Sequence, residues 1–200
     1  MKKKVCKTVE DFKSYGDMLL DQEDYDEAIS AYEEALHLKP GFVDALCGRG
    51  RAYYEISEYD SALTDFNRAL LKEPDNIKAL LGRAMLALST NDKPAIADLE
   101  EVIRLDPNFA EAYHLLGERH MLSSFNGDEH EDLAFEALKK ALDLQPEMED
   151  ACDSLRRFDN TEKVLDYCKK VIDNNPSNEE AWLTLEDCDD SGKVLDYCEK

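Results

Sequence analysis

Apolar and small residues recur along this chain at helical spacing. Phe12, Tyr15, Gly16 and Leu19 stand three or four residues apart, as do Ala28, Tyr32, Ala35 and Leu36. The same two stripes return as Leu46, Arg49, Gly50 and Tyr53, then Ala62, Phe66, Ala69 and Leu70. Spacings of i, i+3, i+4 and i+7 gather residues on one helical face, so amphipathic helices are predicted in pairs. The prolines mark the period. Pro40, Pro74, Pro107, Pro146 and Pro176 are separated by 34, 33, 39 and 30 residues. Each follows one helical pattern and precedes the next, where proline stops a helix and helps set a turn. Ser177 with Glu180 reads as a capping box for the helix after the last of them.

Gly16, Gly50 and Gly117 fall inside predicted helices, where glycine costs roughly 1 kcal/mol against alanine. A cost repeated at one position implies a compensating contact. The expected one is close approach of the second helix of each pair, where Ala28, Ala62, Ala95 and Ala134 also lack bulk. Tyr32, Phe66 and Leu99 then fill the space beside them, large side chains facing small ones.

At these residues the chain resembles the tetratricopeptide repeat (TPR) family, whose 34-residue unit carries Leu-Gly, an aromatic, Ala, Phe, Ala and Pro at fixed places. Repeats 9–42 and 43–76 match nearly throughout. Repeat 77–109 is one residue short in its STNDKP turn and has Ala84 for the glycine. Repeat 110–148 matches at Tyr113, Leu116, Gly117, Ala134, Leu138, Ala141 and Pro146, with five extra residues near 123–132 between its helices. Residues 1–8 form a basic extension. Residues 149–200 hold two degenerate repeats of 30 residues, in which EKVLDYCKK returns as GKVLDYCEK; Arg156 and Glu186 replace the glycine, so looser or offset packing is expected. The last helix stops within about two turns of Gly192, as a short cap or because the chain continues. The resemblance implies an all-α fold, a right-handed α-solenoid of stacked antiparallel helix hairpins (a TPR superhelix). One hairpin cannot bury its apolar face alone, so neighbours must cover it.

The family's groove positions, carried over residue by residue, imply a concave binding surface. It includes Lys13 and Asp17 in the first repeat and Arg51 and Tyr54 in the second. Lys78, Leu81, Met85 and Leu88 follow in the third, then His114 and Met121 in the fourth. Two readings stay open for the apolar members. They bury against the hairpins, or they form a track for a ligand's side chains, a task that suits mobile Met. The bases Lys13, Arg51 and Lys78 read as helix-face ion-pair partners. The carboxylate clamp by which some TPR grooves hold chaperone tails matches only at Lys13 and Lys78. Asp17, Gly48 and Gly82 stand where it needs Asn, Asn and Arg, and Asp17 would repel the carboxylate.

Composition adds limits. The net charge is -22, with 24 acids and 15 bases up to Phe125 and 22 acids and 9 bases after it. Both halves repel phosphate backbones, which argues against nucleic acid. No apolar run approaches the ~20 residues of a membrane span. The N-terminus lacks the apolar core of a signal peptide, so the cytoplasm is expected. The six cysteines form no C-x-x-C pair; free, mostly buried thiols are expected rather than a zinc site. Of the histidines, His37 suits a helix C-terminus, and His114 and His120, six apart, diverge. His130 lies in the acidic insertion GDEHED, whose spacing matches no EF-hand. Acidic pairs such as Asp128 and Glu129 fall in predicted turns. No H-E-x-x-H, phosphate loop or G-x-S-x-G occurs. The reading is therefore a protein-interaction adaptor without catalytic residues, cofactor or metal. It would bind a partner peptide or helix through mainly apolar contacts; a self-assembling scaffold is the alternative.

Overall fold

The computed structural model describes residues 8–90, 95–123, 128–158 and 161–188. Among them are eleven helices and no strand. The chain divides into two compact units, Met1–Leu105 and Asp106–Lys200. The fold is an all-α solenoid of helix hairpins, as the repeat implies.

In the first unit, α1 (Val9–Asp21) pairs with α2 (Tyr25–Leu38), α3 (Val43–Glu55) with α4 (Tyr59–Leu70), and α5 (Ile77–Thr90) with α6 (Ala95–Leu105). Thr8 caps α1 in a capping box with Asp11, its hydroxyl accepting from the Asp11 amide at 3.1 Å. The turn after α1 closes when the amides of Asp24 and Glu23 donate to the carbonyls of Leu19 and Leu20. The turn after α3 repeats this with Glu58 to Tyr53 and Ser57 to Tyr54. Crossed bonds of this kind need one residue in the left-handed region. Glu23 (φ 62°) and Ser57 (φ 64°) occupy it.

Stacking depends on the expected exchange of large for small. A methyl group placed on Gly16 would lie 2.7 Å from the Tyr32 ring, and one on Gly50 would lie 2.9 Å from Phe66. Each ring is also enclosed from the far side. A methyl on Gly48 of α3 would run into the Tyr32 ring, and one on Gly82 of α5 would run into Phe66. One ring thus inserts between the first helices of two successive repeats, and only glycine leaves it room.

In the second unit, α7 (Ala110–Ser123) pairs with α8 (Asp128–Leu144), followed by α9 (Glu149–Arg156), α10 (Thr161–Asn174) and α11 (Glu179–Cys188). A methyl on Gly117 would lie 2.7 Å from Leu138. The core gathers Leu138, Leu142, Leu155, Val164, Tyr167 and Leu185. Here α9 is much shorter than α7, with 8 residues against 14.

Two local expectations are corrected. Asp128, Glu129 and His130 belong to α8, a 17-residue helix that absorbs part of the insertion. The cap of α11 is Asn178 rather than Ser177, because the Ala181 amide donates to Asn178 Oδ1 at 2.9 Å. The Ser177 hydroxyl instead donates to Asn175, and Glu180 pairs with Arg156. The extension 1–7, the linkers 91–94 and 124–127, and the repeated motif GKVLDYCEK with Cys198 lie outside the described residues.

Candidate partner-binding face

In the first unit, the first helices of the hairpins (α1, α3 and α5) lie side by side. Eight of the ten residues expected at groove positions lie on these three helices. Lys13 Nζ pairs with Asp17 at 2.6 Å, and Asp17 also accepts from the Tyr32 hydroxyl at 2.8 Å. Burial pushes the Tyr32 phenol up, and the bond to Asp17 reinforces the shift. Arg51, 67% exposed, faces Glu55 at 3.8 Å. Lys78 is exposed. Tyr54 and Ser89 share a hydroxyl–hydroxyl bond of 3.1 Å that ties α3 to α5. Beside it Leu81, Met85 and Leu88 are half-buried, each partly open to solvent. Cys47 is buried on the same helices and bonds Asn76 at 3.6 Å. Burial pushes its thiol up to about 12, which disfavours the thiolate.

The remaining two residues belong to the second unit. Met121 is partly buried and packs on that unit's core. Leu122 beside it is exposed. His114 enters a polar cluster joining α7 to α9. Its Nε2 lies 3.3 Å from Ser154 Oγ, which lies 2.5 Å from Glu118 and 2.8 Å from the Asp150 carbonyl. Arg157 donates to Glu118 at 2.5 Å and to Ser154 at 3.1 Å. Burial holds the His114 pKa down, against the pull of Glu118, Asp150 and Glu111. A serine, a histidine and a carboxylate meet here, yet Ser154 is only 1% exposed. Its hydroxyl is shut away from any substrate carbonyl. His120 points elsewhere, its Nδ1 3.3 Å from His130 Nδ1.

Sequence reasoning missed the ion pairs beneath the first unit's face. Arg49 grips Asp65 with two bonds of 2.7 and 2.8 Å, and Arg83 grips Asp98 with two of 2.7 Å. Asp65 and Asp98 are 2% and 6% exposed. Such planar two-bond pairs are strong and directional. The usable signal was an Arg and an Asp on core-facing stripes, each recurring at the repeat spacing.

A tetratricopeptide repeat model matches residues 15–76 and, overlapping, 47–108. No curated protein sequence matches the chain significantly. Several solved structures share the fold. MamA from Desulfovibrio magneticus RS-1 is 24% identical over 94% of this chain and 100% of its own, with a TM-score of 0.66. TTC0263 from Thermus thermophilus, a TPR protein, is 17% identical over 90% and 98%, TM-score 0.64. YrrB, a TPR protein with an unusual peptide-binding site, is 21% identical over 88% and 91%, TM-score 0.58. The recurring glycines and rings, the matched repeats and the shared fold agree: the chain belongs to the tetratricopeptide repeat family.

Proposed function

We propose that the chain is a cytoplasmic, non-catalytic adaptor that holds a partner peptide or helix on the face of α1, α3 and α5. The observation that supports it most is the half-buried state of Leu81, Met85 and Leu88 around the Tyr54–Ser89 bond. These side chains sit on a rigid floor of helices yet keep open apolar surface, the combination a preformed site needs. Lys13 and Arg51 are engaged with acids on their own helices, which leaves apolar contacts as the main source of affinity. The shared fold with YrrB, a TPR protein with an unusual peptide-binding site, supports this reading.

The double variant Tyr54→Ala, Met85→Ala tests the reading. A photo-reactive residue at Leu88 should crosslink to a partner in cell extract, and one at Glu34, on α2, should not. The double variant should weaken capture at least tenfold while the far-ultraviolet circular dichroism stays unchanged. Equal capture with and without Tyr54 and Met85 would refute the assignment.

Self-assembly is favoured by a different feature. Leu71, just past α4, is 83% exposed, and Leu63 on α4 is 40% exposed. If copies meet there, Leu71→Glu lowers the sedimentation coefficient at high concentration.

A further inference from the structure

In the first unit Tyr32 and Phe66 insert their rings at one repeat position, eight residues before Pro40 and Pro74. Eight residues before Pro176 stands Cys168. The glycines that receive the rings from the next repeat, Gly48 and Gly82, lie eight residues after Pro40 and Pro74. Eight residues after Pro176 stands Thr184. A ring and a hydrogen have been exchanged for a thiol and a branched alcohol. The two exchanges nearly offset each other in volume, and beside them lies a half-open cavity of about 250 Å³, lined by Cys168, Thr184, Leu142, Leu155 and Ala181 among others.

The cavity has one unmet polar group. Thr184 is 1% exposed, and its hydroxyl has no hydrogen-bond partner in good geometry. It does lie near enough to Cys152, another lining residue, to favour that thiolate, but burial outweighs this and pushes the thiol up to about 11. Both lining thiols are free of disulfides. A buried hydroxyl without a well-aligned partner is unfavourable, so a ligand that supplies one gains affinity. At the mouth, Asp143 already accepts from the Tyr167 hydroxyl at 3.2 Å and repels anions.

We propose that this cavity binds a small neutral aromatic molecule of the phenol or indole class. Its ring packs against Leu142, Leu155 and Cys168, and its polar atom bonds Thr184 Oγ1. The volume suffices: an enclosed apolar cavity of roughly 150 Å³ admits benzene, and the rest of this half-open space, lined also by Asn174, Asn175 and Asn178, accommodates a polar substituent.

Titrating the full chain with phenol, indole, toluene and benzoate, followed by calorimetry and amide chemical shifts, tests the site. Phenol and indole should bind saturably at one per chain, and benzoate at least tenfold more weakly. Thr184→Val should weaken phenol about fivefold, the loss of one neutral bond, and leave toluene unchanged. Cys168→Phe should abolish binding by filling the space. If that variant does not melt cooperatively, Cys168→Leu serves with a partial loss. Tyr54→Ala with Met85→Ala should leave phenol affinity unchanged, which keeps this site separate from the proposed partner face. Absence of saturable phenol binding, or equal binding after Cys168 is enlarged, would overturn the proposal.

Discussion

The two compact units solve one packing problem with different side chains. In the first, an aromatic ring from each of α2 and α4 is locked between two glycines, and Arg–Asp pairs brace the hairpins at α3–α4 and α5–α6. In the second, the ring position holds Leu138 and then Cys168, and its glycine appears only at Gly117. Polar groups take over part of the bracing, with His114, Ser154, Glu118 and Arg157 joining α7 to α9. The difference shows that a repeat tolerates loss of its ring when the neighbouring first helix is shortened and small side chains are accepted. The cost is unfilled volume in the second unit.

The largest expected effect separates the units directly. Phe66→Ala removes a ring that is 2% exposed and held on both sides. Truncations of this kind cost about 3–5 kcal/mol. Cys168→Ala removes one sulfur beside an existing cavity, and about 1 kcal/mol or less is expected, in line with burial of a single small group. Urea unfolding of the two variants measures the contrast. Equal losses would mean that the ring position carries the same weight in both units.

Most of this architecture was legible because it repeats. Gly16 and Gly50 with Tyr32 and Phe66 are readable, since an unfavourable residue at a fixed spacing needs a structural reason. The second glycine of each clamp was visible as Gly48 and Gly82, but family positions assigned both to the groove. Their contact is with the ring of the preceding repeat, which a reading within one repeat does not reach. The Arg49–Asp65 and Arg83–Asp98 pairs escaped notice because a charge on a core stripe looks like an exception until its partner, fifteen or sixteen residues on, is located. Asp128 and Glu129 were misread as a turn because acidic residues favour turns and helix starts alike. Of the face itself, the half-buried state of Leu81, Met85 and Leu88 required the structure, since spacing separates core from solvent and not half from full burial.

A smaller effect should appear on acidification, and in the second unit. His114 has its pKa lowered in the folded state, so the unfolded chain takes up its proton first as pH falls. The stability this group contributes is complete above the unfolded value near 6.5 and is lost as pH drops through the lower folded value. His114→Gln keeps a hydrogen bond to Ser154 and cannot titrate. It should flatten the decline in melting temperature between pH 7.5 and pH 5 compared with the parent chain. Parallel curves would place the acid sensitivity in other groups.

The smallest effect returns to the first unit and has the opposite sign. Glu23 and Ser57 hold φ near 60° at equivalent turns, where the side chain crowds the following carbonyl at roughly 1–2 kcal/mol. Glycine escapes that crowding but loses more freedom on folding, by roughly 0.5–1 kcal/mol. The balance favours glycine by about 0.5 kcal/mol per site, because the crossed amide bonds from Asp24 and Glu58 already fix the turn. Glu23→Gly and Ser57→Gly together should therefore raise the urea midpoint by a small, additive step, since the turns belong to successive repeats. A fall in the midpoint would mean that these side chains hold the turns as much as the backbone does, and that the first unit's rigidity begins in its turns rather than in its clamped rings.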